Sequence, residues 1–245
     1  MRAVILAAGV GRRLGNEGDL PKCLLKFGGK TLLQRHLEFL KQCGIEKTTI
    51  AVGFKEETIQ SEISKLGMNG FANTVFNPDF EQGSVLSLWS TRDQMTYGND
   101  VLLMDADVLY GPSLLAQLVE TKHASSFLMD KNFEPGDEPV KLCIRDGKIV
   151  EFRKKVDVEF DTCGESVGFF KFSFETAQNL IEATERFKTN PEECYEEPLR
   201  ELALNSSPDT FGVEDITGMP WTEIDFPEDV KKAQEKIFTQ LESES

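Results

Sequence analysis

The N-terminal stretch joins a short apolar strand to a turn of small residues, and this order leaves few folds open. The strand runs from Arg2 to Leu6, and the turn that follows contains Gly9 and Gly11 and ends in two arginines. A Pro-Lys pair ending at Lys22 comes shortly afterwards. Small residues let backbone N–H groups approach phosphate oxygens, and arginine and lysine neutralise phosphate charge. The stretch therefore predicts a strand followed by a loop that holds a polyphosphate.

Two common phosphate-binding motifs do not fit this turn. A dinucleotide fingerprint that starts at Gly9 requires glycine at position 14, where the chain has Leu14. A P-loop that ends at Thr31 requires glycine at position 24, where the chain has Leu24. A strand-to-helix turn with solvated arginines stays open as the simpler interpretation, and the downstream Pro-Lys pair favours the phosphate loop.

Size and composition bound the class of protein. The 245 residues contain no Pro/Gly/Ser-rich linker, so we expect one domain over residues 1–245 with an inserted lobe at about 130–172. A net charge of −15 argues against a nucleic-acid partner. No apolar run approaches the roughly 18 residues of a membrane span, and the first residues do not resemble a signal peptide. We therefore expect a cytoplasmic protein that binds no membrane and receives polyanions at a local positive patch.

Strand and helix patterns alternate through the first half of the chain. The second half adds a hairpin at Asp146-Gly147, flanked by strands over 140–145 and 148–153. One helix is predicted over 84–95, another over 195–205, and a last one from about 228 onward. The alternation predicts right-handed βαβ units. The expected fold is α/β, a Rossmann-like three-layer α/β/α arrangement with a mostly parallel mixed sheet and a small inserted β lobe.

Two acidic pairs indicate a metal site. Asp105 and Asp107 follow an apolar strand, while Glu223 and Asp225 lie on the same side of an extended segment. Ligands of open α/β sheets bind beyond the carboxyl ends of the strands, so the first pair should face the glycine turn. We expect Asp107 and Asp225 to clamp one Mg²⁺, with water and phosphate oxygens in the remaining positions. A loop that caps the next helix is the alternative interpretation of the Asp-x-Asp pair.

The motif from Leu6 to Leu14, followed by Pro21-Lys22, resembles the signature of the nucleotidyltransferase superfamily that includes MobA-like NTP transferases and sugar-1-phosphate nucleotidylyltransferases. The chain is most similar to bacterial phosphocholine cytidylyltransferase-like proteins. The resemblance implies the nucleotide-diphospho-sugar transferase type of fold, CTP as the nucleotide, and metal-binding roles for Asp107 and Asp225. It further implies a nucleotide site made by Leu6, Ala7, Ala8, Gly9, Gly11, Arg12, Arg13, Lys22, Gln82, Gly83, Ser84 and Asp105.

The implied reaction needs no protein nucleophile. A phosphate or phosphonate oxygen of the acceptor attacks the α-phosphorus of the nucleotide in line, and pyrophosphate leaves. Lys22 and Mg²⁺ are expected at the α-phosphate and the acceptor phosphate, and Arg13 at the departing pyrophosphate. The predicted catalytic residues are thus Lys22, Arg13, Asp107 and Asp225.

The acceptor is expected to be a small phosphorylated amino alcohol or an aminoalkyl phosphonate, of the phosphocholine or 2-aminoethylphosphonate type. Aromatic rings attract ammonium groups, and carboxylates add countercharge. The predicted acceptor site comprises Lys154, Glu165, Tyr195, Glu196, Trp221 and Glu223.

Three other functions stay open at this stage. A sugar- or polyol-phosphate nucleotidylyltransferase would share the fold and the mechanism. A metal-dependent glycosyltransferase would use Asp105 and Asp107 but would not need the cationic loop. A non-catalytic regulatory relative would be expected to lose Lys22 and the metal carboxylates. The sequence leaves open whether the protein is a monomer or a homodimer.

Overall fold

The central sheet is built around the N-terminal strand, which lies between two parallel neighbours. The computed structural model describes residues 1–133, 136, 138–190 and 192–243. Its strands are β1 Arg2–Leu6, β2 Lys26–Phe27, β3 Lys30–Thr31, β4 Lys47–Val52, β5 Ala72–Phe76, β6 Val101–Asp105, β7 Val108–Tyr110, β8 Ser126–Asp130, β9 Lys141–Arg145, β10 Lys148–Arg153, β11 Thr162–Phe172, β12 Gly212–Asp215 and β13 Trp221–Glu223.

The helices connect these strands in alternation through the first half. They are α1 Leu32–Gln42, α2 Glu56–Lys65, α3 Ser84–Ser90, α4 Arg92–Met95, α5 Pro112–Glu120, α6 Phe174–Phe187, α7 Glu196–Asn205, α8 Pro227–Lys232 and α9 Phe238–Ser243, with a π-helical turn at Ala233–Ile237 between the last two. Short 3₁₀ helices span Arg12–Asp19 and Lys22–Leu24. No helix within the described ranges is both long and apolar enough to cross a bilayer.

The strand order of the main sheet is β10-β9-β11-β6-β1-β4-β5, with β8 paired to β11 and β12 paired to β8. Strands β6, β1, β4 and β5 are mutually parallel. Strand β11 runs antiparallel to β6, β8 and β9. The predicted Rossmann-like α/β fold with a mixed sheet is therefore confirmed. The range predicted as a lobe, about 130–172, contains β9, β10 and β11, which all belong to the main sheet. Residues 134, 135 and 137 of that range lie outside the described residues.

Alternation along β1 places its side chains in two layers. Ala3 and Ile5 belong to a core cluster with helices α1, α2 and α5, whereas Val4 belongs to a second cluster with α3, α6 and α7. Successive side chains of a strand point to opposite faces, so both faces of the sheet are covered. A third cluster packs the C-terminal helices against the segment around Phe27 and Leu32. The C-terminal segment is thereby anchored beside the N-terminal loop.

Some predicted boundaries change in the structure. The helix expected over 84–95 is interrupted at Thr91, whose hydroxyl donates to the carbonyl oxygen of Leu88 at 2.8 Å. This local bond competes with the helical pattern. The expected hairpin at Asp146-Gly147 is confirmed, with both residues at positive φ. The helix expected over 195–205 begins at Glu196, and Tyr195 precedes it as the capping residue.

Candidate active site

A cavity of about 430 Å³ opens beyond the carboxyl ends of β1 and β6. Its lining joins the glycine turn, the loop after β6, the start of α7 and the segment after β13. The lining residues are Leu6, Ala7, Ala8, Gly9, Gly11, Arg12, Arg13, Lys22, Cys23, Phe80, Gln82, Ser84, Ser87, Asp105, Ala106, Asp107, Tyr195, Glu196, Glu223 and Asp225. Parallel strands β1 and β6 are neighbours in register, which brings their two loops into one crevice.

The glycine turn is fixed by backbone hydrogen bonds to the adjacent strand end. The N–H of Ala7 donates to the carbonyl oxygen of Ala51 at 2.9 Å, and Ala8 accepts from the N–H of Phe54 at 3.1 Å. Gly11 has a φ of +66°, and a Cβ there would lie 3.2 Å from Cγ of Lys22. Glycine adopts this conformation readily, and its lack of a side chain leaves room for the lysine stem. The turn thus presents backbone and cations to the cavity.

Lys22 lies between two carboxylates from distant parts of the chain. Its Nζ donates to Oδ2 of Asp107 at 2.7 Å and to Oδ1 of Asp225 at 2.5 Å. Burial alone would lower the pKa of Lys22, but the two carboxylates outweigh it and raise the pKa above its ordinary value. The ammonium group is therefore held charged inside the cavity.

Strands β7 and β13 form a two-stranded sheet that brings Asp225 to Asp107. Trp221 pairs with Tyr110 and Glu223 pairs with Val108. The N–H of Ile224 donates to the carbonyl oxygen of Asp107 at 2.9 Å. The pairing register of β7 and β13 decides which residue of the C-terminal segment lies next to the loop after β6.

Three carboxylates form a candidate metal site. One oxygen each of Asp107, Glu223 and Asp225 lies within 4.8 Å of the others. Carboxylate oxygens suit a hard divalent cation such as Mg²⁺, and the ammonium of Lys22 already contacts two of the three as a positive group. The residues present therefore fit the metal predicted from the sequence, and Glu223, expected at the acceptor, lies with the metal carboxylates.

The carboxyl group of Glu223 is crowded by negative charge. Desolvation, together with the charges of Asp107 and Asp225, raises the pKa of Glu223 well above its usual range. Glu223 is an exposed residue, and the neighbouring carboxylates repel its negative charge. A cation bound among these groups would relieve that repulsion.

Asp105 points to a different part of the cavity and accepts a hydrogen bond from Tyr195. The phenolic oxygen lies 2.6 Å from Oδ2 of Asp105. Burial first, and then the charges of Asp107 and Glu196, raise the pKa of Asp105 well above its usual range. Burial first, and then the charges of Asp105 and Glu196, raise the pKa of Tyr195 well above its usual range. The hydrogen bond ties Asp105 to Tyr195, and among the described residues Asp105 is not part of the carboxylate cluster that could hold a metal.

Glu196 begins helix α7 and lines the cavity beside Tyr195. Burial raises the pKa of Glu196, and its own backbone N–H and the thiol of Cys194 partly offset this effect. Its Oε2 atom is buried, and the described residues offer that atom no hydrogen-bond partner. Buried polar atoms are normally paired, so this oxygen is an exception inside the protein and is not exposed to the cavity.

Arg13 connects the glycine turn to the C-terminal segment and to the region before β9. Its Nη1 lies 3.3 Å from Oδ2 of Asp225 and 3.4 Å from Oε2 of Glu138. Glu138 also accepts from Nζ of Lys154 at 3.0 Å. Arg12 lies 3.9 Å from Glu81 in an exposed ion pair. The cations of this loop are thus positioned by carboxylates, which phosphate oxygens can replace.

Some residues predicted for the site lie elsewhere. Lys154, Glu165 and Trp221 are not among the cavity-lining residues of the described chain, and their contact with an acceptor stays a prediction. The indole N–H of Trp221 donates to Oδ2 of Asp130 at 2.9 Å. Gly83 packs against the backbone of Glu193 instead, where a Cβ would meet the carbonyl oxygen at 2.0 Å.

Cys23, Phe80, Ser87 and Ala106 line the cavity but were not predicted. Cys23 follows Lys22 in the sequence, and Ala106 lies between Asp105 and Asp107. Their positions therefore follow from the motifs that contain them. Phe80 is placed by packing, since a Cβ on Gly53 would lie 2.2 Å from its Cβ. No sequence pattern signals that contact.

Comparison with known proteins agrees with this geometry. The family described as the MobA-like NTP transferase domain matches residues 3–147. The chain is 24% identical to CTP:phosphoglutamine cytidylyltransferase of Campylobacter jejuni, over 96% of the chain and 100% of that protein. It is 27% identical to the bifunctional IPC transferase and DIPP synthase of Rubrobacter xylanophilus, over 96% of the chain and 52% of that protein. The chain therefore spans about half the length of this second relative.

Solved structures share the fold. The inositol-1-phosphate CTP transferase from T. maritima superposes with a TM-score of 0.79 at 21% identity, covering 98% of this chain and 94% of that one. The CTP:phosphocholine cytidylyltransferase from Streptococcus pneumoniae superposes with a TM-score of 0.76 at 20% identity, covering 96% of this chain and 97% of that one. At these identities the similarity establishes the fold only. The substrate therefore has to be inferred from the residues of the site.

Proposed function

The chain belongs to the MobA-like NTP transferase domain family, and on that premise we propose that it is a cytidylyltransferase. It transfers CMP from CTP to a small phosphorylated amino alcohol or an aminoalkyl phosphonate and releases pyrophosphate. The choice of CTP is supported by the names of the curated and structural relatives, which include CTP-dependent enzymes for phosphoglutamine, inositol 1-phosphate and phosphocholine.

The observation that carries the acceptor class is the distribution of charge in one cavity. The loop after β1 supplies Arg13 and Lys22, while the loop after β6 and the start of α7 supply Asp105 and Glu196. An acceptor with an anionic phosphate and a cationic amine can satisfy both surfaces at once. An acceptor without an amine, such as a polyol phosphate, would bring no positive charge to Asp105 and Glu196.

The residues of the cavity can carry out an in-line displacement without a protein nucleophile. Backbone N–H groups of the glycine turn bind the triphosphate, and Lys22 exchanges its carboxylate partners for phosphate oxygens. Arg13 stabilises the charge that develops on departing pyrophosphate. A phosphate monoester has a second pKa of about 6, so the acceptor is already largely dianionic at neutral pH. Holding its oxygen near the α-phosphorus is the main task of the protein.

The predicted metal fits this scheme. Asp107 and Asp225 would hold Mg²⁺, with Glu223 beside them. When bound, the ion neutralises charge on the phosphate groups as the bond to pyrophosphate breaks. Gln82 and Ser84 line the cavity next to Phe80 and are the candidate groups for the cytosine base.

A second candidate function is a polyol-phosphate cytidylyltransferase, which the inositol 1-phosphate enzyme of the same fold supports. A non-catalytic regulator fits less well, because Lys22, Asp107 and Asp225 are all present and in mutual contact. A glycosyltransferase would not require the cationic turn. Release of pyrophosphate separates the nucleotidyl transfer reactions from both of these classes.

The test is pyrophosphate release with Mg²⁺, crossing CTP, UTP, GTP, ATP and dTTP with candidate acceptors. The acceptors are phosphoethanolamine, phosphocholine, 2-aminoethylphosphonate, inositol phosphate and glucose 1-phosphate. We expect a signal with CTP and an amino-bearing acceptor, and its loss in Asp107→Ala and Asp225→Ala with the fold retained by circular dichroism. Full activity in either variant would refute the metal assignment. A signal confined to inositol or sugar phosphates would refute the acceptor class.

A further inference from the structure

Two cysteines face each other across neighbouring strands of the main sheet, away from the cavity. Cys143 lies in β9 and Cys163 lies in β11, and the two are partners in the antiparallel register of these strands. Their Sγ atoms are 2.8 Å apart. A disulfide bond is about 2.0 Å long, so a movement of less than about 1 Å would bring the sulfurs to bonding distance. Because they are 20 positions apart along the chain, strand pairing is what brings them together.

The position of this pair in the strand ladder suits a covalent bond between the strands. In the same register, the N–H of Ser166 donates to the carbonyl oxygen of Val140 at 2.8 Å. Hydrogen-bonded and non-hydrogen-bonded pairs alternate along an antiparallel ladder. The cysteines are three positions from that hydrogen-bonded pair, so they form a non-hydrogen-bonded pair. The Cα atoms of such a pair are about 4.5 Å apart, which is within the range that a disulfide spans.

The two thiols differ in their accessibility to solvent. Cys143 is buried, whereas Cys163 is half-buried. Burial first, and then the hydrogen bond with Cys163, raise the pKa of the Cys143 thiol above its ordinary value. Because the thiolate is the form that attacks a disulfide, Cys143 is a poor first reactant, and Cys163 is the thiol that an oxidant from solution can reach. An accessible cysteine beside a second cysteine that resolves the product is typical of redox-sensitive pairs.

We propose that Cys143 and Cys163 form a reversible cross-strand disulfide by exchange with a small-molecule disulfide such as oxidised glutathione. The thiolate of Cys163 attacks one sulfur of that molecule, whose S–S bond breaks and releases a first thiolate. The thiol of Cys143 then loses its proton to solvent, and its sulfur attacks Cys163 and displaces the second thiolate from the mixed disulfide. In total the protein loses two electrons and two protons, and the small disulfide is reduced to two thiols. The inference is independent of the proposed cytidylyltransferase activity.

The bond joins the hairpin at one end of the sheet to the strand that connects it with the centre. Strands β10 and β9 end the strand order, and β11 lies between them and β6. The closed loop contains the rest of the hairpin and residues 154–161, which link β10 to β11. A cross-link of this kind restricts the unfolded chain more than the folded one. We therefore expect the oxidised protein to be more stable than the reduced protein.

The experiment treats the folded full chain with oxidised glutathione and then blocks the remaining thiols by alkylation. We expect peptide mass spectrometry to find Cys143 joined to Cys163, and dithiothreitol to restore both thiols. The melting temperature should rise by roughly 5–10 °C on oxidation. Two thiols that stay reduced, or a bond that joins other cysteines, would overturn the inference. A lower melting temperature after oxidation would also overturn it, because the bond would then not fit the native strands.

Single variants separate the roles of the two thiols. In Cys143→Ala the exchange has no resolving sulfur, so Cys163 should keep one glutathione as a mixed disulfide. In Cys163→Ser the buried Cys143 should stay reduced. Cys43→Ser is the matched control, because Cys43 is half-buried like Cys163 but lies at the end of α1, and this variant should form the cross-strand bond as the wild type does. If Cys143→Ala carries no glutathione on Cys163, that cysteine is not the attacking thiol and the proposed exchange is wrong.

Discussion

His36 is a buried imidazole that supports the loop carrying the two aspartates. Its Nε2 lies 3.1 Å from the carbonyl oxygen of Ala106, and its Nδ1 lies 3.1 Å from the hydroxyl of Tyr110. A carbonyl oxygen only accepts, so Nε2 carries the hydrogen and Nδ1 accepts from the tyrosine. Ala106 separates Asp105 from Asp107. Helix α1 therefore fixes the backbone between the two carboxylates through a neutral histidine.

Burial lowers the pKa of His36 from 6.5 to about 4. Between these values the unfolded chain binds a proton that the folded chain does not, so the free energy of unfolding rises with pH. The contribution, about 3 kcal/mol, is complete above pH 6.5 and is lost as the pH falls through 4. We expect His36→Gln, which can still donate to Ala106, to show a flatter pH dependence in urea unfolding between neutral and acidic pH.

All carboxylates are shared by the wild type and this variant, so the difference between their unfolding free energies isolates His36. His123→Gln at the exposed second histidine serves as the control. A difference between wild type and His36→Gln that stays constant across the pH range would contradict the assignment.

At the scale of elements, strand β11 passes directly beside the loop after β6. Gly168 in β11 has a φ of +77°, and a Cβ there would lie 2.1 Å from Oδ2 of Asp105. That oxygen is the one that accepts from Tyr195. Because Gly168 has no side chain, strand β11 leaves room for the carboxylate of Asp105 beside the cavity.

Gly168→Ala should lower both stability and activity. A non-glycine residue at positive φ costs about 1–2 kcal/mol, and the added methyl group must also displace Asp105. Displacement of a positioned group by about 1 Å can cost 100-fold in rate, so kcat/KM should fall by at least tenfold. Gly147→Ala is the matched control, because its φ is +74° and a Cβ there would meet no atom within 4 Å. Equal kinetics in the two variants, measured by pyrophosphate release, would show that Gly168 does not position Asp105.

The contrast between elements explains what the sequence could predict. The glycine turn and the Asp105-x-Asp107 pair were located correctly because strand ends follow from apolar periodicity and parallel strands bring their ends together. The orientation of Trp221 was not predictable, because its partner Asp130 ends β8, a short strand that the pattern did not identify. The contact between Gly168 and Asp105 was also missed, since it depends on which strand lies beside β6.

At the scale of the whole molecule, the candidate active site joins three distant segments. Lys22 contacts Asp107 and Asp225, which are 85 and 203 positions away along the chain. The protein carries a net charge of −15, yet its cavity keeps a charged lysine between two of the candidate metal ligands. The ammonium therefore lies where a divalent cation would bind, so we expect the two to compete in the absence of a nucleotide.

This competition predicts that removal of the ammonium strengthens metal binding in the absence of nucleotide. Lys22→Met keeps the length and apolar stem of the side chain and should raise the affinity for Mn²⁺, used as a spectroscopic probe, by roughly tenfold, equivalent to about 1.4 kcal/mol. Turnover should fall at the same time, because the ammonium of Lys22 is no longer available to neutralise charge on the α-phosphate. Lys26→Met is the control, since Lys26 is exposed on β2 and its loss changes the net charge equally. If both variants bind Mn²⁺ alike, long-range charge alone accounts for the effect and the ammonium does not hold the position of the metal.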